Sequence, residues 1–332
     1  MYDLSIQRVK KWLSDNKAKK VLIQAPDGIK AYLENFIESL EKEVEVFISG
    51  SRAWGGCDIA LKEAKQLGIK HIIHIGHHGP VRVKIPENVQ VFFVPAFAKI
   101  SVENALENNL NKLGDCSPIG LLASLQHVNQ LKSVKKKLEN LGYSVVIGHG
   151  NLPFDGQIIG CDVSAAVNIA RKVSCFLVIA GGIFHGFGVY IRTGKKTLIL
   201  DPYRKKIVDI QKTMEKFYAK HLYNLAKALE AKKFGVLVST KPGQYSINLA
   251  RKIAQKIKKH GKKAYIIVTD EIEPETLQNF TFIDAYVNTA CPRLNFDNED
   301  NFKKPIIGAK EIDYVLENRL ADHKIIDTLH IL

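Results

Sequence analysis

Short runs of apolar residues recur along the chain in three groups of four. The runs are rich in aliphatic and β-branched residues and are apolar on both faces, as strands buried within a parallel sheet are. The predicted strands are residues 21–26, 44–48, 71–75 and 91–94 in the first group, 119–124, 145–147, 175–180 and 197–200 in the second, and 234–239, 264–268, 285–289 and 305–307 in the third.

Helical stretches separate the first two predicted strands of each group. Residues 131–141 precede Gly142 and residues 247–260 precede Gly261, and glycine is the usual residue just beyond the end of a helix. Apolar residues in the second stretch recur at spacings of three and four, which is typical of one buried helix face. Strand, helix and strand at these lengths predict right-handed βαβ units.

The threefold recurrence predicts an internal triplication of small α/β domains, each a doubly wound parallel sheet of the Rossmann-like kind. We place the domains at residues 1–107, 108–204 and 205–332, with linkers near residues 101–113 and in the segment after residue 203. A chain of 332 residues is long enough for two or three domains that each bury a core. The active site is expected at the junction of the three domains.

The chain is basic, with 48 Lys and Arg against 34 Asp and Glu and a formal net charge of +14. The lysines occur as scattered pairs, so a solvated surface explains them without a nucleic-acid patch; an acidic macromolecular partner is the alternative. The longest apolar run, residues 173–184, is too short to cross a bilayer, and the N-terminus lacks a signal-peptide core. We therefore expect a soluble, cytoplasmic protein that needs no membrane and no direct contact with nucleic acid.

Three of the five cysteines, Cys57, Cys161 and Cys291, stand beside Gly or Pro in loop-like settings, one in each predicted domain. Cys175 lies inside an apolar run and Cys116 precedes a strand, so we expect both to be structural thiols, without a disulfide framework. In the alternative interpretation, Cys57, Cys161 and Cys291 are also core thiols and have no common role. Three thiolates are too few for a four-coordinate zinc site, but they suit a [4Fe-4S] cluster with one open iron.

Polar residues and glycines follow the predicted strands, at the sheet edge where open α/β proteins bind ligands. The glycines let backbone N–H groups approach an anionic ligand closely. A rival metal site would use four neighbouring histidines, but His71 and His74 point to opposite faces of a strand. The candidate ligand-binding residues are Gln24, Gly28, His77, Gln126, Gly182, His185, Asp201, Gln244 and Arg293.

The order of several short motifs resembles a known family. Together with the three cysteines, these motifs are similar to those of the archaeal diphthamide synthase of the first step, 2-(3-amino-3-carboxypropyl)histidine synthase, over residues 20–307. The resemblance implies a non-standard radical enzyme without a CxxxCxxC loop. The motifs are Gly76-His77, Gln126-His127, Gly182-Ile183-Phe184-His185, Asp201-Pro202-Tyr203 and Cys291-Pro292-Arg293.

The reaction implied by this resemblance is a group transfer. The Cγ–S bond of S-adenosylmethionine is cleaved reductively, and the 3-amino-3-carboxypropyl group is added to carbon 2 of a histidine in translation elongation factor 2. Methylthioadenosine is the other product. The resemblance also implies that Cys57, Cys161 and Cys291 ligate the [4Fe-4S] cluster, that the protein is a homodimer, and that it needs an electron donor.

Two alternatives remain open from the sequence. One is a dehydratase similar to quinolinate synthase, in which three repeats also hold a cluster through three cysteines. The other is a basic scaffold that binds RNA or the ribosome and has no enzymatic activity.

Overall fold

The chain forms three separate sheets built mainly of parallel strands. The structure is a computed structural model and describes residues 2–297 and 301–328. The strands are β1 (Tyr2–Asp3), β2 (Lys20–Gln24), β3 (Glu45–Ile48), β4 (His71–Ile75), β5 (Gln90–Val94), β6 (Phe97–Ala98), β7 (Ile119–Ala123), β8 (Val145–Ile147), β9 (Cys175–Ile179), β10 (Thr197–Asp201), β11 (Lys206–Asp209), β12 (Lys233–Ser239), β13 (Lys263–Thr269), β14 (Ala285–Asn288) and β15 (Ile306–Gly308).

The helices are mostly short, and most of them lie between successive strands. They are α1 (Ile6–Asp15), α2 (Asp27–Lys30), α3 (Glu34–Glu41), α4 (Leu61–Leu67), α5 (Val102–Glu107), α6 (Leu131–Asn140), α7 (Ser164–Val167), α8 (Phe184–Thr193), α9 (Gln211–Leu229), α10 (Ile247–Lys259), α11 (Pro274–Leu277), α12 (Leu294–Asp297) and α13 (Ile312–Leu316). Within the residues described, no helix combines the length and the apolar character that a membrane span requires.

The strand order is the same in all three sheets. The orders are β3-β2-β4-β5, β8-β7-β9-β10-β11 and β13-β12-β14-β15, so each sheet runs second, first, third and fourth strand in chain order. Neighbouring strands are parallel except β11, which extends the second sheet antiparallel to β10. A separate antiparallel pair joins β1 to β6. All twelve predicted strands are confirmed to within two residues at their ends, whereas β1, β6 and β11 were not predicted.

Both faces of the inner strands are covered in each sheet, which explains the continuous apolar runs of these strands. The edge strand β13 is an exception to the predicted burial, since Ile266 and Val268 are 38% and 56% exposed. Strands β7 and β9 are buried along their whole length, with one core cluster on each face of the second sheet. The first and third sheets also have a cluster on either face. Each fully buried Ile or Leu contributes roughly 1.5–3 kcal/mol relative to an exposed one, so these cores hold the strand ends, and the loops that follow them, in place.

The two helices predicted from their glycine stops are confirmed as α6 and α10. Gly142 and Gly261 follow them with φ of +88° and +73°, the left-handed conformation in which only glycine avoids strain. The buried side chains of α10 are those at the predicted spacing. The residues within and just after α6 and α10 are therefore sufficient to predict these two helices.

Neither predicted linker is a simple connection, which corrects our prediction. In residues 101–113, Val102, Ala105 and Leu106 of α5 are buried in the second sheet's core, and the segment after residue 203 is also part of the folded units. It forms β11, which pairs with β10, and then α9, whose side chains contact two cores. Met214 packs in a cluster with residues of α8 and β10, while Leu225 and Ala228 belong to the third sheet's core. The apolar face of α9 is interrupted by the buried polar His221, so its period was weak in the sequence.

Cys116 and Cys175 are joined in a disulfide, contrary to the two separate structural thiols that we predicted. Their Cα atoms are 5.7 Å apart although 59 residues separate them in sequence. Cys116 lies just before β7, and Cys175 begins β9, where it pairs in register with Ile119 of β7. The disulfide depends on the pairing of β7 with β9, and the apolar runs of the sequence do not show which strands are neighbours.

Candidate active site

The three loop cysteines line one cavity of about 580 Å³, at the carboxyl ends of strands from all three sheets. Cys57 follows β3 and Cys161 follows β8, the second strand of the first and second sheets. Cys291 instead follows β14, the third strand of its sheet. A second cavity of about 750 Å³ is lined by the same cysteines, so the thiols lie between two open spaces.

Burial raises the pKa of all three thiols above the ordinary value. The pKa of Cys161 is raised to about 11 and that of Cys291 to about 12, and in both cases the nearby Cys57 thiol adds to the effect of burial. The three thiols therefore lie close enough for the charge of one to affect the others. Three thiolates in such a place require a cationic partner, and metal binding would displace their protons.

The spacing of the thiols argues against a single metal ion. In the described part of the chain, only His221, Glu311 and His323 form a group of three ligand atoms that all lie within 4.8 Å of one another. The three cysteine sulfurs are therefore more widely spread. A wider triangle of thiolates, without a fourth ligand, suits a multi-iron cluster whose irons each take one cysteine.

The His221, Glu311 and His323 group is a hydrogen-bonded network in the third sheet's core. His221 Nε2 and His323 Nε2 lie 2.6 Å and 2.9 Å from Glu311 Oε1, and the Gly308 N–H donates to Glu311 Oε2 at 2.6 Å. Burial by itself would raise the Glu311 pKa, but the charge and hydrogen bonds of the histidines outweigh it and lower the pKa to about 2. The network fastens α9 and the C-terminal turn to β15.

A buried ion pair fixes the loop that carries Cys57. Lys241 Nζ lies 2.9 Å from Asp58 Oδ2 and 2.8 Å from Glu271 Oε1, and the Trp54 indole donates to Glu271 Oε2 at 3.0 Å. Lys241 and Asp58 are only 4% and 5% exposed. A buried charge pair of this kind is costly to break, so the first and third sheets are held together beside Cys57.

The loop after β12 also approaches the backbone of Cys57 directly. The Gly243 N–H donates to the Cys57 carbonyl at 2.7 Å, and Gln244 Nε2 lies 3.5 Å from Cys57 Sγ. A Cβ added to Gly243 would lie 2.3 Å from the Val81 carbonyl oxygen and 2.7 Å from Cys57 Cα. Only glycine fits this contact, because its neighbours are backbone atoms that cannot rotate away.

Replacing Gly243 with alanine is expected to push the third sheet's loop away from Cys57. We expect a loss of about 1–3 kcal/mol of unfolding free energy, the usual cost of overpacking, with a lower iron content after reconstitution. Chemical denaturation and iron analysis measure the two effects. Gly50→Ala is the matched control, since its added Cβ has no atom within 4 Å. Equal iron and stability in both variants would contradict the expected role of this contact.

Segments from all three sheets meet in a stack of aromatic rings and one guanidinium. Arg293 lies 5.7 Å from the ring centre of Trp54, in a loop of the first sheet, and 5.2 Å from that of Phe184, the first residue of α8 in the second. The Phe184 ring packs against Gly160, next to Cys161, where a Cβ would lie 1.9 Å from the ring. The sequence assigned no role to Trp54 or Phe184, because only their positions in space show what they contact.

The structure brings five of the nine candidate ligand-binding residues to the wall of the first cavity. Gln24 is 1% exposed and lies behind the wall, while Gln244 lines the second cavity beside Cys57. Asp201 Oδ1 accepts hydrogen bonds from the turn that follows it, and Asp201 Oδ2 accepts the Gly182 N–H at 3.4 Å. Gln24, Gly182, Asp201 and Gln244 therefore support loops or face spaces other than the first cavity. The five in the cavity wall are Gly28, His77, Gln126, His185 and Arg293.

Comparison with known proteins gives one consistent match. Residues 25–326 match the family described as "Putative diphthamide synthesis protein". The 2-(3-amino-3-carboxypropyl)histidine synthase of Pyrococcus horikoshii is 38% identical over 320 residues, covering 95% of this chain and 91% of the relative. The enzyme of the same name from Methanocaldococcus jannaschii is 27% identical over 333 residues, covering 96% and 91%.

The solved structures agree with the sequence relatives. The crystal structure of Dph2 from Pyrococcus horikoshii with a 4Fe-4S cluster superposes with a TM-score of 0.84 at 37% identity, covering 96% of this chain and 92% of that one. A second crystal structure of the same protein gives a TM-score of 0.85 at 38% identity.

Proposed function

Because this chain belongs to the family of diphthamide synthesis proteins, we propose that it carries out the first step of diphthamide biosynthesis on translation elongation factor 2. The family resemblance predicted from the sequence motifs is confirmed, and the chain is an enzyme, a transferase. In the proposed reaction, the 3-amino-3-carboxypropyl group of S-adenosylmethionine moves to carbon 2 of a histidine ring of the factor. Neither the dehydratase nor the scaffold alternative finds support in these matches.

The observation that carries the proposal is the convergence of three cysteines, one from each sheet, on one cavity. Their wide spacing and their unpaired state fit a [4Fe-4S] cluster that leaves one iron open, the cofactor that the solved structure of the Pyrococcus protein contains. Cys57, Cys161 and Cys291 would hold it. When bound, the cluster supplies the low-potential electron that breaks a sulfonium carbon–sulfur bond.

The cavity wall would hold and orient S-adenosylmethionine. Arg293 offers a guanidinium fork for the carboxylate of the methionine part, and the rings of Trp54 and Phe184 keep its side chain in place. Gln126 and His185 add polar groups to the same wall, and Gly28 lets a ligand approach the backbone. Gln24, Gly182 and Asp201 would act indirectly, by supporting the loops that carry these groups, and Gln244 would support Cys57.

The repeated strand order supports an internal triplication with the active site where the three units meet. Domains at residues 1–107, 108–204 and 205–332 each contain one sheet and one cluster cysteine, although β11 extends the second sheet past residue 204. We further propose that the protein works as a homodimer with an external electron donor, in the cytoplasm, where its protein substrate would be found.

The test of the proposed function is transfer of label to the intact factor. Anaerobically reconstituted protein is incubated with dithionite, S-adenosylmethionine labelled in the aminocarboxypropyl group, and elongation factor 2. We expect label on the factor, and transfer to free histidine at least ~100-fold slower, because only the folded factor supplies the remote binding energy that positions the ring.

The control for that test is a factor whose target histidine is replaced by glutamine, which is expected to remain unlabelled. Comparable rates on free histidine and on the factor would exclude the proposed macromolecular substrate.

A further inference from the structure

A chain of buried hydrogen bonds runs from the interior of the first sheet to the wall of the cavity. His74 Nδ1 lies 2.9 Å from Gln24 Oε1, and His74 Nε2 lies 2.8 Å from His77 Nδ1. Gln24 and His74 are 1% and 0% exposed, while His77 lines the cavity. The position of the His77 ring is therefore set from behind by two buried polar side chains.

Two backbone groups determine which way the Gln24 amide points. Gln24 Nε2 lies 2.9 Å from the Asp58 carbonyl oxygen, and the Ala60 N–H lies 2.9 Å from Gln24 Oε1. A carbonyl only accepts and a backbone N–H only donates, so the amide cannot be reversed without losing both bonds. The atom that faces His74 is therefore the Gln24 oxygen, and His74 Nδ1 must carry a proton.

The proton positions then follow along the chain. Burial lowers the pKa of His74 to about 4, so the ring is neutral near pH 7 and its Nε2 is an acceptor. His77 Nδ1 must donate to that acceptor. Burial also lowers the His77 pKa well below its ordinary value, so the second ring is neutral too. Its Nε2 carries a lone pair and has no hydrogen-bond partner among the described residues.

We propose that His77 Nε2 is the proton acceptor of the transfer reaction, and that Gln24 and His74 are positioning residues that keep this nitrogen unprotonated. This inference rests on the proposed function. It assigns Gln24 a purpose although that residue does not reach the cavity. It also explains why a buried strand histidine and a buried glutamine are joined beneath the active-site wall.

The reaction requires such an acceptor because a carbon-bound proton must leave. The Cγ–S bond of S-adenosylmethionine breaks, a carbon–carbon bond forms at carbon 2 of the target imidazole, and the C2–H bond breaks. Its proton passes to His77 Nε2. The electron left on the ring returns to the [4Fe-4S] cluster, which supplied one for the first cleavage, so no further oxidant is consumed.

Other groups in the wall are less suited to take this proton. Asp27 is 60% exposed on its side chain and pairs with Lys30 at 2.7 Å, which stabilises the carboxylate as an anion. Arg52 and Arg293 only donate. His78 Nδ1 lies 2.9 Å from Gln157 Nε2, but Gln157 Oε1 has no hydrogen-bond partner among the described residues, so the direction of that amide and the His78 tautomer are not fixed. Within the described residues, His185 has no hydrogen bond that fixes its tautomer. The His74 and His77 tautomers, in contrast, are set by the Gln24 amide, whose direction two backbone groups fix.

The tautomer is tested in the full-length, metal-free protein, without any reaction. Long-range ¹H–¹⁵N correlation spectra of ¹⁵N-histidine-labelled protein distinguish the Nδ1–H form from the Nε2–H form that free histidine prefers. We expect both His74 and His77 in the Nδ1–H form, assigned with His74→Gln and His77→Gln variants. A neutral His77 with its proton on Nε2 would overturn the proposal.

The catalytic role is tested by measuring two products of the reconstituted enzyme separately. The His77→Gln variant is expected to release methylthioadenosine at close to the wild-type rate, because His77 takes no part in breaking the carbon–sulfur bond. Modified factor per methylthioadenosine should fall about 100-fold, the usual contribution of a general base. His149→Gln, at an exposed histidine bonded to Asp155, is the control and should keep the wild-type ratio.

Each outcome separates this inference from the proposed function. An active wild type whose His77 variants, Gln or Asn, keep the normal product ratio overturns the inference alone. A parallel loss of methylthioadenosine and modified factor, with the cluster absorbance retained, also overturns the inference. That result would mean that His77 binds S-adenosylmethionine. A wild type that releases no methylthioadenosine refutes the proposed function and this inference with it, while the tautomer spectra remain a separate measurement.

Discussion

Replacing any one of Cys57, Cys161 or Cys291 with alanine is expected to abolish most iron binding. Each thiol comes from a different sheet, so no neighbouring cysteine in the same loop replaces the lost ligand. Loss of a supporting group around a metal already costs 10–100-fold in affinity, and loss of a ligand should cost more; we expect bound iron below ~10% of the wild-type content. Iron analysis and absorbance near 400 nm after anaerobic reconstitution measure it.

The matched controls are the two cysteines of the disulfide. Cys116→Ala and Cys175→Ala remove the disulfide, whose two cysteines belong to one apolar cluster in the core of the second sheet. We expect near wild-type iron in both, with some loss of thermal stability from the missing cross-link. If all five alanine variants bound the same amount of iron, the three-cysteine cluster site would be wrong.

The reduced enzyme is expected to release methylthioadenosine from S-adenosylmethionine in at least ~10-fold excess over 5′-deoxyadenosine. The sulfonium has three carbon–sulfur bonds, and a difference of about 1.4 kcal/mol between two barriers already gives a tenfold preference. Positioning decides which bond reacts. In the proposed reaction, Arg293 would bind the methionine carboxylate in the same wall as the three cysteines, and this anchor would determine which carbon faces the cluster.

Chromatography of the nucleoside products measures this preference. Wild-type protein without dithionite and the Cys57→Ala variant with dithionite are the controls, and both should release neither nucleoside. A predominance of 5′-deoxyadenosine would mean that the bond to the ribose is the one broken, and the proposed transfer would then be excluded. A dehydratase, the alternative weighed from the sequence, would release neither product from S-adenosylmethionine.

Much of the fold could be predicted because its signals are local. Strands buried on both faces read as continuous apolar runs, and α10 shows its core-facing residues at helical spacing before Gly261. The exceptions have physical reasons. Helix α9 divides its buried side chains between two cores and includes the polar His221, so it has no clean apolar face. The short strand β11 exists because β10 offers it an edge.

The cysteines of the site could be predicted because of their glycine and proline neighbours and their distribution over three groups of strands. It could not be predicted that all three cysteines reach one place from different positions in the repeat. Cys57 and Cys161 follow the second strand of their sheets, whereas Cys291 follows the third. Only the packing of three sheets around one cavity shows that residues from different positions in the repeat reach the same place.

The sequence by itself determined the parallel α/β architecture, the three groups of strands and the identity of the thiols, since these depend on residues close together in the chain. The tertiary structure decided everything that joins distant segments. It paired Cys116 with Cys175 across 59 residues and Trp54 with Glu271 across 217. It also connected Gln24 to His77 through His74. Such contacts are set by which strand ends and loops meet after folding, and no local period of the sequence records that.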